Sequence, residues 1–471
     1  MRRPNILILY TDQQRWDALG ANGNGFIKTP NLDRLAREGT RFSCCISQNP
    51  VCMPSRISFM TGQYCSSLRI THMAVTVPES TLTLQKILSR YGYRNGLIGK
   101  LHYLAHSNRD HRDPHPAYDF HHMELSDEPG CYEDAYRAWV RRKAPEALDH
   151  ISLGLPPAGE FWRKGTGYAD DIKHPERFNA GGVVRRTYVH KAPSHLTQAA
   201  FVGEQTMEFL AQNKDVPFFC FSGFYSPHSP WVVPQEFLDL YDPAELPIPA
   251  FPPEIEAQRS DGRCSDRELR DIVHGYYAMV SEVDAWVGRI LDTLDELGLA
   301  DSTIVVFSSD HGEWLGEHLR YGKGYWAQDA ISRVPLIVKV PQALGGAAGI
   351  HFPDIVEGVD VVPTLLDAAG IQIPPELQGD LLPVLALRPL CAGDGLGLTE
   401  HAGWKSLRFE HYRYVIEASG TERLYDLDAD PSEYANLADL PEHAALLSRA
   451  RKLLLTRVLR IEQPLRKEWA Y

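Results

Sequence analysis

Asn5-Ile6-Leu7-Ile8-Leu9-Tyr10, followed at once by Thr11-Asp12-Gln13, is the stretch from which the fold is read. From Ile6 to Tyr10 every residue is apolar. A strand with one wet face alternates apolar and polar residues. An unbroken run suits a strand buried on both faces, as in a parallel sheet covered by helices. The Asp12-Gln13 pair stands where such a strand ends. Ligands of open α/β sheets bind beyond the carboxyl ends of the strands, so Asp12 and Gln13 are the first candidates for chemistry.

Outward from this strand the alternation continues. Thr29-Pro30 predicts a helix start, with Thr as cap, Pro in the first turn, Leu32, Leu35 and Ala36 on the buried face, and Gly39 as stop. Leu84, Ile87 and Leu88 mark a second helix closed near Gly92, and Gly96-Leu97-Ile98 the next strand. A helix through Phe201 and Phe209-Leu210 leads to the strand Pro217-Phe218-Phe219-Cys220-Phe221. A long helix covers roughly 266–297, and strands follow at 303–307 and 335–339. This rhythm predicts an α/β fold, a large and mostly parallel sheet sandwiched by helices. Two regions depart from it. Residues 103–195 are rich in His, Pro, Asp and Arg and show little periodicity, as functional or partly disordered stretches do. Beyond about residue 385, Tyr-rich runs such as His411-Tyr412-Arg413-Tyr414-Val415-Ile416 and a helix through Leu446 and Leu453-Leu454-Leu455 predict a small α+β unit. We therefore expect a catalytic α/β domain over 1–385 and a small C-terminal domain over 386–471.

The 471 residues, 44% hydrophobic and 23% charged, suffice for a sizeable core. The net charge of -13 argues against a nucleic-acid partner, which needs a basic face. It leaves anionic substrates open, because the potential in a cleft can oppose the global charge. The apolar run after Met1-Arg2-Arg3 is too short for a secretory core or a membrane span. The expectation is a soluble, cytoplasmic protein without membrane contact, as a monomer or a homo-oligomer. The eight cysteines are scattered, which is no disulfide framework, and most read as buried inert thiols.

Polar clusters recur after the strands. Asp310-His311 follows the strand at 303–307, as Asp12-Gln13 follows the first. Four donors from two strands, mainly oxygen, suit Ca²⁺, Mg²⁺ or Mn²⁺. Taken alone, Asp12 reads equally as a helix cap and Asp310-His311-Gly312 as a turn. Lys100 and His102 follow the strand at 96–98. His228 lies between prolines in Tyr225-Ser226-Pro227-His228-Ser229-Pro230, and Lys323 lies between glycines in Tyr321-Gly322-Lys323-Gly324. Metal ligands, cations and imidazoles together are what transfer of a sulfuryl or phosphoryl group requires.

In Cys52-Met53-Pro54-Ser55-Arg56, Cys52 taken alone reads as a buried cysteine before a helix with Pro54 in its first turn, or as a thiol activated by a helix N-terminus. The pattern Cys-x-Pro-x-Arg resembles the signal by which sulfatases mark one cysteine for oxidation to formylglycine. The resemblance extends over nearly the whole chain: Pro4 to Asp12, Thr29 to Leu35, Cys52 to Gly62, Gly92 to Lys100 with His102, Ser309 to Glu313, and Leu424-Tyr425-Asp426-Leu427 with Asp430-Pro431. The sequence is thus similar to the formylglycine-dependent sulfatases of the alkaline-phosphatase superfamily. Carried over residue by residue, the resemblance implies that Asp12, Gln13, Asp310 and His311 bind one divalent metal, Ca²⁺ before Mn²⁺ or Mg²⁺, together with an oxygen of modified Cys52. It implies that Arg56 and Lys100 hold the formylglycine and the substrate oxyanion, and that His102 helps to remove the proton of the hydrated aldehyde. His228 and Lys323 face the leaving-group oxygen, one of them as general acid. One hydroxyl of the hydrate attacks sulfur, and loss of the other hydroxyl's proton expels sulfate. A serine could form the ester but could not release it in this way.

Two departures bear on the substrate. Most sulfatases carry a second carboxylate at the position of Gln13, and many carry Asn at that of His311. The Asp-Gln and Asp-His pairs, and Tyr225 to His228, resemble the phosphonate monoester hydrolase branch, whereas Lys100 and His102 follow the sulfatase pattern. The leading expectation is a sulfatase acting on a small-molecule or saccharide sulfate ester after maturation by a formylglycine-generating enzyme. The alternative is a phosphonate monoester or phosphodiester hydrolase using the same site. His106, His111, His115, His121 and His122, with the residues around His401 and Trp404, are candidates for shaping the pocket.

Overall fold

The computed structural model describes residues 3–105, 114–130, 133–153, 178–179, 182–183, 186–259, 264–324, 326–386 and 393–462. Its centre is an eight-stranded sheet. In chain order the strands are β1 (Asn5–Thr11), β2 (Thr40–Ile46), β3 (Arg94–Gly99), β4 (His122–Leu125), β5 (Phe218–Gly223), β6 (Thr303–Ser309), β7 (Arg333–Lys339) and β8 (Ile350–Glu357). Their spatial order is β8-β2-β7-β6-β1-β5-β3-β4. All are parallel except β7, which runs antiparallel to both β6 and β2.

The first strand explains the layering. Ile6, Ile8 and Tyr10 face one side, in a core shared with Ile57, Phe59 and Met60 of helix α1 (Cys52–Thr61) and with Val361, Val362, Leu365 and Leu366. Leu7 and Leu9 face the other side, against the helices Pro30–Glu38, Gln198–Asn213 and Asp266–Glu296. These strand residues are fully buried, and each such aliphatic side chain contributes about 1.5–3 kcal/mol. Thr29 does occupy the position before helix Pro30–Glu38. Its hydroxyl instead accepts from Gly20 N and donates to Asp33, while Asp284 of the long helix accepts from the N–H groups of Asn31 and Leu32.

At the C-terminus lies a separate four-stranded antiparallel sheet, β9 (Leu396–His401), β10 (Trp404–Phe409), β11 (Tyr412–Glu417) and β12 (Glu422–Asp426). Helix Ala444–Ile461 packs on it through Leu447, Ala450 and Leu454. Among the described residues no helix is long and apolar enough to cross a membrane.

The register brings four strand ends to one place. Thr11 pairs with Ser309, Tyr10 with Gly223, and Gly223 with Gly99. The residues that follow β6, β1, β5 and β3 therefore lie side by side, and they are Asp310, Asp12, Phe224-Tyr225 and Lys100. Gly223 is required here, because Lys100 N donates to its carbonyl at 2.8 Å and a Cβ on Gly223 would lie 2.1 Å from the Lys100 oxygen. Gly223→Ala should lower stability by about 1–3 kcal/mol through overpacking, read in denaturant unfolding, and should lower activity by moving Lys100.

Candidate active site

Cys52 opens helix α1 and is fully buried. Its Sγ lies 2.6 Å from Lys323 Nζ, 3.3 Å from His311 Nε2 and 3.8 Å from Asp12 Oδ1. Burial, followed by the charge of Asp12, pushes its thiol up to about 11. As a thiol it is a weak nucleophile at neutral pH.

Asp12, Cys52, Asp310 and His311 each direct one donor atom into a common space, all within 4.8 Å of one another. Gln13 stands beside them in a left-handed backbone conformation, φ 69°. Its amide nitrogen donates to Glu313, and its buried Oε1 has no hydrogen-bond partner among the described residues. His311 Nδ1 donates to the Gly312 carbonyl at 2.9 Å, which leaves the Nε2 lone pair facing Cys52 and the carboxylates. Burial holds His311 below its usual range, in the neutral form a metal ligand needs. An orphaned amide oxygen, two carboxylates and a correctly oriented imidazole fit a divalent cation.

Two buried carboxylates side by side need counter-charge. Arg56 Nε lies 2.8 Å from Asp310 Oδ2 and its Nη2 3.1 Å from Asp12 Oδ2, while Nη1 donates to the Lys100 carbonyl. Lys100 Nζ lies 2.7 Å from the same Asp12 oxygen and over the Tyr225 ring. Burial would raise the Asp12 pKa, but the positive charges of Lys100, Lys323 and Arg56 outweigh it and hold this carboxyl well below its ordinary value. Asp310 is further fixed by the N–H groups of Gln13 and His311 on Oδ1, both at 2.9 Å.

His228 and Lys323 form a pair. Lys323 Nζ lies 2.7 Å from His228 Nε2. His228 Nδ1 donates to the Ser229 carbonyl at 2.6 Å, so Nε2 accepts from the lysine. Burial, then Lys323, holds His228 well below its usual pKa, so it is neutral. Burial alone would lower Lys323, but nearby negative charge, that of Asp12 and Asp310 included, raises it, so it keeps its proton. Both Ser226-Pro227 and Ser229-Pro230 are cis, and the two prolines flank the His228 turn as the sequence suggests.

His102 is buried two residues beyond Lys100, at φ 60°. The structure fixes its main chain: Leu101 N and His102 N both donate to Asp127 Oδ1 at 2.9 Å. Among the candidate loop histidines, His121 and His122 sit beside Asn95 and Gly96, at the end of β3 away from Lys100. His106 and His111 lie outside the described residues. The turn from His401 to Trp404 comes close from the other side: Ala402 N donates to the Thr71 carbonyl, and Asn49, three residues before Cys52, donates to the carbonyls of Thr71 and Glu400. Sequence reasoning missed Ser47 and Ser55, whose hydroxyls both donate to the Asp310 carbonyl at 2.6 Å. It also gave no role to Glu313, which ties Gln13 to the loop at Gly322.

The profile of the family described as Sulfatase matches residues 4–371. The chain is 28% identical to an arylsulfatase of Clostridium perfringens, covering 96% of this chain and 94% of that one. It is 29% identical to a multifunctional alkaline phosphatase superfamily protein of Trinickia caryophylli, over 99% and 97% of the two chains. The solved phosphonate monoester hydrolase of Agrobacterium radiobacter superposes with a TM-score of 0.77 at 25% identity, covering 97% of this chain and 96% of that one. The chain belongs to the sulfatase family, within the alkaline-phosphatase superfamily.

Arg56 carries the electrostatic balance of this site. Arg56→Met should cost about 3–5 kcal/mol, the usual effect of leaving buried charges unpaired. Denaturant unfolding checks this; a loss near zero would mean that Lys100 and the N–H groups suffice.

Proposed function

We propose that the protein hydrolyses sulfate esters of small molecules or saccharides, with Cys52, converted to formylglycine by a maturation enzyme, as the nucleophile. The observation that carries this reading is the placement of Cys52 Sγ between the Asp12–His311 cluster and Lys323. Nucleophile, metal donors and a proton-bearing cation meet at one atom. We take this machinery to belong to a catalytic domain over 1–385, followed by a small C-terminal domain over 386–471.

Asp12, Gln13 through Oε1, Asp310 and His311 would hold the metal, with modified Cys52. The oxygen-rich set favours Ca²⁺, and the imidazole together with an amide in place of a third carboxylate also suits Mn²⁺, with Mg²⁺ as the third candidate. Once bound, the cation supplies Lewis acidity and offsets negative charge. Arg56 acts through the two carboxylates it holds and so keeps the donors in place. Lys100 and Lys323 present positive charge to the ester's anionic oxygens. Lys323 carries the proton given to the leaving-group oxygen, and His228, neutral with Nε2 on Lys323, orients it. His102 is the base assigned to the proton whose loss releases sulfate.

A second reading, phosphonate monoester or phosphodiester hydrolysis by the same groups, is favoured by Gln13 and by the likeness to the Agrobacterium radiobacter enzyme. Parallel assays on an aryl sulfate, a phosphonate monoester and a phosphodiester decide between them. The sulfate should have the highest kcat/KM; preference for either phosphorus ester would replace the first reading with the second. Chelation should abolish turnover, with recovery on adding back Ca²⁺ or Mn²⁺. Lys323→Ala should lower kcat by about 10²- to 10⁴-fold, the usual contribution of a general acid.

A further inference from the structure

The segment Asp430-Pro431-Ser432-Glu433-Tyr434 follows the last strand of the C-terminal sheet and has no part in the chemistry above. The loop from Glu313 to Lys323 is one it touches directly. That loop is locally unfavourable, because Leu315, His318 and Leu319 all have left-handed backbones, with φ of 47°, 52° and 54°. Non-glycine residues hold such conformations only when their surroundings impose them.

The C-terminal segment holds the chain on both sides of Lys323, at His318 within this loop and at Asp329 beyond it. On the near side, His318 N donates to Tyr434 Oη at 3.0 Å, His318 Nε2 bonds the Ser432 carbonyl at 2.7 Å, and the two rings stack at 4.0 Å. On the far side, the fully buried Glu433 accepts from Asp329 N at 2.7 Å and pairs with Arg413 Nε at 2.8 Å. Arg413 also holds the Asp329 carboxylate, whose other oxygen lies 3.1 Å from Arg333 Nη1. The residues after Asp329 carry this hold into the site. The carbonyls of Ala330, Ile331 and Ser332 accept from Glu313, Gly312 and Ser47 N in turn, at 3.0, 2.7 and 2.7 Å. Lys323 lies between the two clamped positions.

We propose that Glu433 and Tyr434 are positioning residues for Lys323: the C-terminal domain clamps the loop that presents the proton donor to the leaving group. This rests on the function proposed above. It assigns a task to Glu433 and Tyr434 that a separate domain packed only for stability would not have.

A clamp of this kind has a signature that loss of stability does not share. If Lys323 is displaced, esters with poor leaving groups suffer and those with good ones do not. Fewer folded molecules would depress every substrate by the same factor. The test is kcat/KM across a series of aryl sulfates from 4-nitrophenyl to phenyl, measured for the metal-loaded full chain, Lys323→Ala, Glu433→Gln and Tyr434→Ala, with the same series as aryl phosphonates. Tyr434 is only half-buried, so Tyr434→Ala carries the test should Glu433→Gln not fold. Both clamp variants should lose about tenfold more on the phenyl than on the 4-nitrophenyl ester, part of the general-acid contribution, and so move toward the Lys323→Ala slope. A uniform loss, or no loss, beside normal turnover by the unsubstituted enzyme overturns this inference alone. No turnover by the unsubstituted enzyme on either series would remove the proposed function, and this inference with it.

Discussion

Asp12 and Asp310 are buried side by side at the ends of adjacent parallel strands, and the rest of the site follows from their neutralisation. The Thr11–Ser309 pairing makes their proximity unavoidable. Water cannot screen them there, so unpaired they would be strongly destabilising. Arg56 bridges them from the first turns of the helix that Cys52 opens. The same ion pairs that stabilise the carboxylates therefore fix the helix, and with it the position of Cys52, against the candidate metal ligands. Lys100 reinforces the bridge on the Asp12 side.

The other half of the site is built on loops. His228 and Lys323 come from different segments and meet through Nε2 and Nζ. The Ser229 carbonyl sets the histidine tautomer. The lysine depends on a loop with several left-handed residues, held from the C-terminal side. A rigid half supplied by strand ends thus faces a half held by side-chain contacts, the usual division between scaffold and functional loops.

The central strands were legible because nothing but double-sided burial explains runs such as Ile6 to Tyr10 or Ile304 to Phe307. Their polar followers Asp12 and Asp310 were legible for the same reason. The strand Ile350–Glu357 was not, since Pro353 and Asp354 interrupt its pattern where the pairing with β2 shifts register. Edge strand β4 is too short and polar to announce itself. Direction was also hidden: the run at 335–339 looks like its parallel neighbours, yet β7 is antiparallel. In the site, Ser47 and Ser55 carried no signal, because a serine that orients a carbonyl is identical in sequence to one on a surface. Gln13 was visible as a candidate ligand, but its dependence on Glu313 requires the fold that brings them together.

All of this converges on Cys52, buried at a helix start with the candidate metal ligands on one side and a proton-bearing lysine on the other. As a thiol it lies in surroundings that keep it protonated. The most direct measurement is mass spectrometry of the peptide containing Cys52, from protein produced in a host with a formylglycine-generating enzyme. The account predicts the aldehyde or its hydrate at this residue. An unmodified thiol at residue 52 in catalytically active protein would contradict it.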